Sequence, residues 1–437
     1  MSTQNSPVSL EANTLPKVVI VGAGIAGLAL AIGLHDCLDR LEVYVLERSN
    51  TFSDIGAGLG IAPNSIEALE LISPALVRTF RDTADFGFKT YDDKYRYTFP
   101  EYRLLSTGEH LHSARTPNQA SMHRSAFVKM LVSHLDTRIK VRLGSSVKSF
   151  STSASGNSVD LVYQQNNQDK RISCQLLVGA DGMRSHIRSL LLPHPNNHLR
   201  FSGTLCYRGV LDIGQIRALS GEHIATVPQV FLGQDVHVMS YPIAQGSALN
   251  AIVYSTHLEA AEKEQLTDWT QVTAVDDGTL LNQTGDWCEQ ARVLATALCP
   301  PKRWALHEVM TLSTWIGERT LLIGDAAHGM TPHVGAGAAT GLEDAAVLAN
   351  LIRDSRLDLS KSTASSNMLS AFEAVRKTRG ETVAAVSKEI GEIYQGRTSL
   401  PGTLVQHLKT TVPTLFEKVW NHSVKKDVET AFAQLDI

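Results

Sequence analysis

The sequence has little of what marks secreted or nucleic-acid-binding proteins. Its five cysteines in 437 residues are odd in number, scattered and without a C-x-x-C pair. That usage favours free thiols in a reducing compartment, here predicted to be the cytoplasm, over a disulfide framework. The formal net charge is −4, so no field of one sign favours nucleic acid or an anionic membrane. Residues 1–16 are polar and lack the pattern of a signal peptide, which predicts a disordered tail.

Long apolar runs and several catalytic patterns are also missing. The longest apolar run, 18–34, is short for a membrane span and is interrupted by four glycines, so no membrane span is predicted. No G-x-S-x-G pattern occurs, which excludes the usual serine-hydrolase motif. No group of His, Cys, Asp or Glu has the spacing of metal ligands, so no metal site is predicted.

What is present near the N-terminus is one complete βαβ unit. The apolar, β-branched run Val18–Val21 predicts a buried parallel strand. A glycine-rich turn follows, then an apolar helix from Ile25 to about Cys37, and then a second strand, Leu41–Leu46. The unit predicts an α/β protein with a doubly wound, Rossmann-type sheet.

The turn of this unit carries a dinucleotide-binding fingerprint. Gly22 permits the tight turn, Gly24 lets the backbone approach a pyrophosphate, and Gly27 lets helix and strand pack closely. Glu47 ends the second strand, where a carboxylate can accept hydrogen bonds from ribose hydroxyls. A glycine-rich packing helix is the alternative, but it does not require an acid in this register. The fingerprint does not distinguish FAD from NAD.

The remaining chain divides by composition and periodicity. Residues 17–194 and 304–358 are predicted to form the dinucleotide-binding domain from two parts. Residues 195–303 alternate apolar and polar side chains, which predicts a middle domain built on an antiparallel sheet. A Ser-rich linker is predicted at 360–367, and C-terminal helices within 368–437, namely Met368–Tyr394 and Leu415–Leu435.

Two further motifs follow the fingerprint along the chain. They are V-G-A-D-G at Val178–Gly182 and L-I-G-D-A-A-H at Leu322–His328. Together the three motifs resemble the single-component FAD-dependent monooxygenases typified by aromatic hydroxylases. The resemblance implies a Rossmann-type FAD-binding domain. It places Asp181 near the FAD pyrophosphate and the NAD(P)H path, and Asp325 on the ribityl or ribose hydroxyls.

Further segments resemble the parts of this family that surround the flavin. The loop 55–59, which includes Gly58, is similar to the loop that lines the isoalloxazine ring, and Arg124 is similar to an arginine at a helix start that reaches the cofactor. The C-terminal segment 420–431 resembles that of salicylate-hydroxylase-like members. This branch includes fungal enzymes that oxidatively dearomatise polyketide phenols.

The segment after the third motif is also informative on physical grounds. Gly335 and Gly337 remove side chains where a flat ring must touch backbone. A helix from about Ala338 would direct its positive end at the ring and stabilise the negative charge of reduced flavin. The form Gly-Ala-Gly is similar to that of the salicylate-hydroxylase-like branch.

Three residues are candidates for contact with substrate. Arg208 and Tyr241 lie on predicted strands of the middle domain and resemble the arginine and tyrosine that hold a substrate phenolate in the dearomatising enzymes. A cation and a phenol O–H favour an ionised phenol. The alternative is that Arg208 faces solvent and Tyr241 belongs to the core. His333 is a candidate catalytic group at the flavin edge, whereas His328 is predicted to be structural.

The resemblance implies hydroxylation of a phenolic ring with O₂ and either NADPH or NADH. FAD is expected to be non-covalent because no attachment site is evident. There is no second complete G-x-G-x-x-G unit, which implies that NAD(P)H binds transiently. Two alternatives stay open: a monooxygenase or epoxidase acting on a non-aromatic substrate, and a non-catalytic FAD/NAD-binding regulatory protein.

Overall fold

The computed structural model describes residues 15–52, 58–83, 85–86, 98–115, 120–194, 196–256, 273–274 and 277–435. The predicted disordered tail lies outside the described residues except for its last two. Residues 55–57 of the predicted flavin loop lie outside them as well.

The described strands fall into four sheets. In chain order they are β1 (Lys17–Val21), β2 (Glu42–Leu46), β3 (Gly58–Ile61), β4 (Asp85–Phe86), β5 (Thr98–Leu104), β6 (His110–Arg115), β7 (Ala120–His123), β8 (Lys140–Arg142), β9 (Ser145–Thr152), β10 (Val159–Gln165), β11 (Gln168–Cys174), β12 (Leu176–Gly179), β13 (Leu199–Asp212), β14 (Gln229–Gly233), β15 (Val236–Ile243), β16 (Ala248–Ser255), β17 (Thr273–Ala274), β18 (Lys302–Val309) and β19 (Thr320–Leu322). Two of the sheets are small, with three strands each in the orders β11-β10-β9 and β3-β7-β4, and two are larger.

The described α-helices surround these sheets. They are α1 (Ile25–Gly33), α2 (Pro63–Ile72), α3 (Pro74–Thr83), α4 (Arg124–Ser133), α5 (His186–Leu191), α6 (Ile213–Thr226), α7 (Asp277–Leu281), α8 (Glu289–Ala297), α9 (Asp325–His328), α10 (Gly337–Arg353), α11 (Ser362–Tyr394), α12 (Leu404–Gln406), α13 (Val412–Trp420) and α14 (Val424–Ala433).

A five-stranded parallel sheet in the order β19-β12-β1-β2-β8 forms the centre of the first domain. Its strands are apolar because both faces are covered, and Val18, Val19 and Ile20 are fully buried. Helices α1 and α10 pack against each other beside this sheet. The predicted βαβ unit and the two later buried strands, β12 and β19, are confirmed.

The second large sheet has eight strands in the order β17-β18-β13-β16-β15-β14-β5-β6. Its described pairs are antiparallel except for β14 with β5, which run parallel. The sheet extends beyond the predicted range 195–303, because β5 and β6 join one edge and β18 continues to Val309. One face packs on α6 and α8 through an apolar cluster that includes Tyr207 and Val253. This architecture confirms the predicted fold class.

The C-terminal region differs from the sequence prediction in two places. The Ser-rich segment is not a linker from residue 362 onward, because α11 begins at Ser362. Ser365, Met368, Leu369 and Phe372 are buried at helical spacing, so the helical pattern starts within the polar segment. The single helix predicted for 415–435 is two helices, α13 and α14, because the chain breaks after Trp420 and Ser423 caps α14.

The cysteines and the helices bear on two of the predictions. All five cysteines are free thiols, as predicted. Within the described residues, no helix has both the length and the apolar character that crossing a membrane requires.

Candidate active site

One cavity of about 640 Å³ lies between the parallel-sheet domain and the eight-stranded sheet. It is lined by Gly24 of the fingerprint, by Asp325 of the third motif, by the segment 335–339, and by Arg208 and Tyr241 of the sheet. Its volume is within the range of small-molecule sites. The fold thus brings together residues that are far apart in the sequence.

Each of the three fingerprint glycines occupies its position for a different structural reason. Gly22 has φ +107°, and an added Cβ would lie 2.3 Å from the carbonyl oxygen of Ala180. A Cβ on Gly27 would lie 2.1 Å from the carbonyl oxygen of Gly22. In contrast, a Cβ on Gly24 would meet no protein atom within 4 Å. Because Gly24 lines the cavity, this open space is where a ligand can approach the backbone.

Glu47 lies at the predicted position but is bonded to the backbone. Its carboxylate accepts hydrogen bonds from the amides of Ala23 and Ser49, each 2.8 Å long. The side chain therefore braces the glycine-rich turn. A carboxylate oxygen can accept more than one hydrogen bond, so the ribose contact stays a prediction.

Asp181 also forms local hydrogen bonds. Its carboxylate accepts from the hydroxyl of Ser185 and from the amides of His186 and Ile187, at 2.5, 2.7 and 3.1 Å. These bonds satisfy free amides at the start of α5. The residues beside it, including Gly182, line the cavity while Asp181 does not. Its role near the pyrophosphate therefore stays a prediction, and what the structure shows is a helix cap.

Asp325 and Arg124 are two of the charged side chains that line the cavity. Asp325 is the first residue of α9, directly after Gly324, whose φ is +60°. Arg124 is the first residue of α4. Burial lowers the pKa of the Arg124 guanidinium, and the negative charge of Asp325 opposes that shift. The pair places a carboxylate acceptor and a cationic donor in one polar part of the cavity.

The start of α10 faces the same cavity. Gly335 has φ +65°, and a Cβ added there would meet no protein atom within 4 Å. No side chain caps α10, and its first turn has no acidic residue. Ala336, Gly337 and Ala338 line the cavity. Uncapped amides and the positive helix end are therefore available to a ligand, as predicted for a flavin ring.

A buried charge network supports this region, and the sequence analysis did not identify it. The guanidinium of Arg376 donates to carboxylates of Glu343, Asp344 and Asp427 at 2.7, 2.9 and 2.5 Å. Asp344 also accepts from the amide of Gly324 at 2.8 Å. Burial would raise the pKa of Glu343, but Arg376 and a second arginine lower it to about 2. The network fixes the turn that precedes Asp325.

The network also accounts for the position of His328 and for a cluster of possible metal ligands. The Nε2 atom of His328 lies 2.6 Å from Asp344, and the ring is buried outside the cavity lining. Its predicted structural role is therefore confirmed. Ligand atoms of Glu343, His422 and Asp427 lie within 4.8 Å of one another, but both carboxylates already pair with guanidinium groups, Glu343 with those of Arg376 and Arg379 and Asp427 with that of Arg376. Adjacent acids in an apolar helix, followed by Arg376 and Arg379 one turn apart, are the signal that could have revealed the network.

The eight-stranded sheet contributes Arg208 and Tyr241 from the face opposite α6 and α8. The Arg208 guanidinium lies 5.1 Å from the centre of the Trp304 ring, in cation–π contact. The Tyr241 hydroxyl donates to the carbonyl oxygen of Gly58 at 3.4 Å. Burial raises the pKa of Tyr241 to about 12, although Arg208 opposes the shift. Tyr241 is therefore a neutral hydrogen-bond donor.

Position 58 requires glycine because the side chain of Tyr241 lies directly beside it. An added Cβ at Gly58 would be 2.9 Å from Cε2 of Tyr241. Glycine therefore lets Gly58, at the end of the predicted flavin loop, and Tyr241 of the sheet meet at the cavity.

His333 lines the cavity among other rings. Its ring centre lies 5.4 Å from that of His237 and 5.0 Å from that of Tyr254. Burial lowers the pKa of His333 to about 3, so the imidazole is neutral at physiological pH. A Cβ on Gly391 of α11 would lie 2.4 Å from the ring, which explains that glycine. A neutral His333 can accept a proton only transiently.

Comparison with known proteins gives consistent matches. The family model described as "FAD binding domain" matches residues 16–387. Salicylate hydroxylase from Pseudomonas putida is 32% identical over 429 residues, which cover 96% of this chain and 95% of that protein. The 6-methylsalicylate 1-monooxygenase from Aspergillus terreus is 29% identical over 385 residues, covering 86% and 83%.

A solved structure matches the fold over nearly its full length. It is a substrate complex of salicylate hydroxylase, with a TM-score of 0.83 and 27% sequence identity. The match covers 96% of this chain and 98% of that chain. The two proteins therefore share this fold.

Proposed function

This chain belongs to the family of FAD-binding monooxygenases, and from that premise we propose that it hydroxylates a phenol held as its anion by Arg208 and Tyr241. The observation that carries the proposal is that both side chains line the same cavity as Gly24, Asp325 and the start of α10. A cation and a neutral O–H donor on one wall stabilise a phenolate.

The cavity residues fit FAD. The open space above Gly24 suits a pyrophosphate, and Asp325 offers a carboxylate for ribityl or ribose hydroxyls. The uncapped start of α10, with Gly335 and Gly337, suits the flat ring and its negative charge when reduced. When bound, FAD supplies electron transfer from NAD(P)H and activation of O₂. We propose that it is held non-covalently, so acid precipitation should release the yellow colour into the supernatant.

The protein's own contribution is orientation, charge and exclusion of water. The positive charge of Arg208 stabilises the phenolate and so lowers the pKa of a bound phenol, and Trp304 holds the guanidinium in place. When substrate binds, the Tyr241 hydroxyl donates a hydrogen bond to the phenolate oxygen and gives up its long hydrogen bond to the carbonyl oxygen of Gly58. His333 is neutral and lines the cavity, and we propose that it hydrogen-bonds a bound molecule there. An ionised ring is electron-rich, which favours attack on an electrophilic oxygen.

The proposal is tested by turnover of the FAD-loaded enzyme. Salicylates and alkyl resorcinol aldehydes should accelerate oxidation of NADPH or NADH and consume O₂. Each product should contain one oxygen more than its substrate, or one oxygen more and one CO₂ less where the carboxylate is lost. Separate reactions with NADPH and NADH identify the preferred nucleotide, and product mass reveals loss of CO₂. A dearomatised product has the same mass as its hydroxylated isomer, so loss of the aromatic absorbance distinguishes the two. Oxygenation of non-aromatic compounds alone would support the epoxidase alternative, and no reaction at all would support a regulatory role. The free thiols are consistent with the proposed cytoplasmic location.

Asp325→Ala should weaken FAD binding and leave the fold largely intact. Loss of hydrogen bonds from a carboxylate to hydroxyls corresponds to roughly 1.5–3 kcal/mol, or ten- to a hundredfold in affinity. Fluorescence titration of the apoprotein with FAD measures the change, and thermal unfolding of the apoprotein is the control. Asp325→Asn, which keeps one acceptor, should lose less. Unchanged affinity in Asp325→Ala would reject the assignment.

A further inference from the structure

The cavity also has an apolar wall, to which helix α13 contributes. Phe416 and Trp420 lie one helical turn apart on α13, with ring centres 4.2 Å apart and stacked at 25°. Both line the cavity and keep 8% and 9% of their surface exposed. In contrast, Leu408 and Val419 of the same apolar cluster are fully buried. The exposed ring surface is therefore available to a ligand in the cavity.

This wall is continuous with the segment before α10, which is predicted to contact the flavin, and with the eight-stranded sheet. Phe416 and Trp420 belong to one apolar cluster with Val334 and Ala336, and Met239 of β15 packs against that cluster. Met239 also lines the cavity. The aromatic pair therefore borders the space between the predicted flavin ring and the eight-stranded sheet, where the substrate must lie.

The sheet register relates this wall to the proposed phenolate site. Arg208 on β13 and Met239 on β15 both pair with Ile252 on β16, and all three line the cavity. Two strand spacings separate Arg208 from Met239, about 10 Å between their backbones. A molecule anchored at Arg208 thus crosses Ile252 before it reaches Met239 and Trp420.

The chemistry of this path is apolar. Among the described residues, the charged side chains that line the cavity are Arg124, Arg208 and Asp325. None of these belongs to the cluster that contains Phe416, Trp420 and Met239. A second charged group on the substrate would lose its hydration there without an opposite charge.

We propose that the substrate is a phenol carrying an extended apolar substituent, which runs over Ile252 and Met239 and ends against Phe416 and Trp420. This inference rests on the proposed function because Arg208 anchors the phenolate end. Trp420 and Met239 then determine specificity, since they contact the substituent and not the reacting ring.

The test uses the FAD-loaded enzyme and a series of resorcinols with one alkyl substituent, from methyl to octyl. Dissociation constants come from the change in absorbance of the bound flavin, and turnover is measured separately. Affinity should rise by up to about fourfold per added methylene and level off once the chain reaches the aromatic pair. Affinity that does not change with chain length would overturn the inference.

Two variants test the assignment of the wall. Trp420→Ala and Met239→Gln should each reduce the ratio of affinities for octyl and methyl compounds by tenfold or more. Phe432→Ala, which removes a ring on α14 outside the cavity lining, should leave this ratio as in the parent enzyme. An unchanged ratio in Trp420→Ala and Met239→Gln would overturn the inference. Chain-length-dependent binding without hydroxylation would support this inference and reject the proposed reaction.

Discussion

Valine at position 24 is expected to give a folded protein that no longer binds FAD. Gly24 has φ −77° and ψ −174°, a conformation that any residue can adopt. No protein atom lies within 4 Å of its added Cβ, so Gly24→Val strains neither backbone nor packing. The new side chain can extend only into the cavity, where it occupies the space of the pyrophosphate.

The ratio of flavin to protein absorbance after purification measures this effect. Gly285→Val is a matched control, because an added Cβ there also meets nothing within 4 Å and Gly285 does not line the cavity. Gly22→Ala provides the contrast: its φ of +107° and the 2.3 Å approach to Ala180 predict loss of the fold rather than of the ligand alone. A Gly24→Val protein that purifies with stoichiometric flavin would show that the fingerprint is misassigned.

Local patterns predicted the dinucleotide-binding part of the chain well. The run Val18–Val21 is buried on both faces of a parallel sheet, which is why its sequence is uniformly apolar. The roles of Gly22 and Gly27 depend on backbone approach within or beside the turn, and the structure confirms the close packing that each requires. Such features are visible in sequence because their causes lie within a few residues or recur in a known motif.

Features that depend on distant partners were not visible. Strands β5 and β6 join the eight-stranded sheet through β14, more than a hundred residues later in the chain. The helix start at Ser362 was hidden by its polar composition, although its buried positions follow a helical period. The cofactor role of Asp181 stays a prediction, and the sequence did not reveal that its carboxylate also accepts from the Ser185 hydroxyl and from amides of the next helix.

Arg208→Gln is expected to give the largest loss of hydroxylation among the substrate-site variants. The glutamine keeps much of the length and some donors, but it removes the charge that stabilises a phenolate. A charge-assisted contact is roughly twice as strong as a neutral one, and a loss of about 1.5–3 kcal/mol reduces turnover of the phenol by roughly ten- to more than a hundredfold. NAD(P)H oxidation should become uncoupled and release H₂O₂ in place of hydroxylated product.

The pH dependence of the Arg208→Gln variant should change in a defined direction. Without the cation, the pKa of the bound phenol rises, so the ionised form requires higher pH. The acid limb of the turnover profile should therefore move to higher pH, and raising the pH should restore part of the activity. A variant that lost only packing would show lower turnover with an unshifted profile.

Tyr241→Phe and Arg200→Gln serve as comparisons for the loss of activity in Arg208→Gln. Tyr241→Phe removes one neutral hydrogen bond and keeps the ring beside Gly58, so it should lose less activity than Arg208→Gln. Arg200 lies on the same strand but pairs with Glu308 outside the cavity lining, so Arg200→Gln should behave as the parent enzyme. Flavin content should be unchanged in all three, because none alters a nucleotide motif. If Arg208→Gln makes product at the parent rate with tight coupling, the phenolate is held by other groups and Arg208 serves only to pack on Trp304.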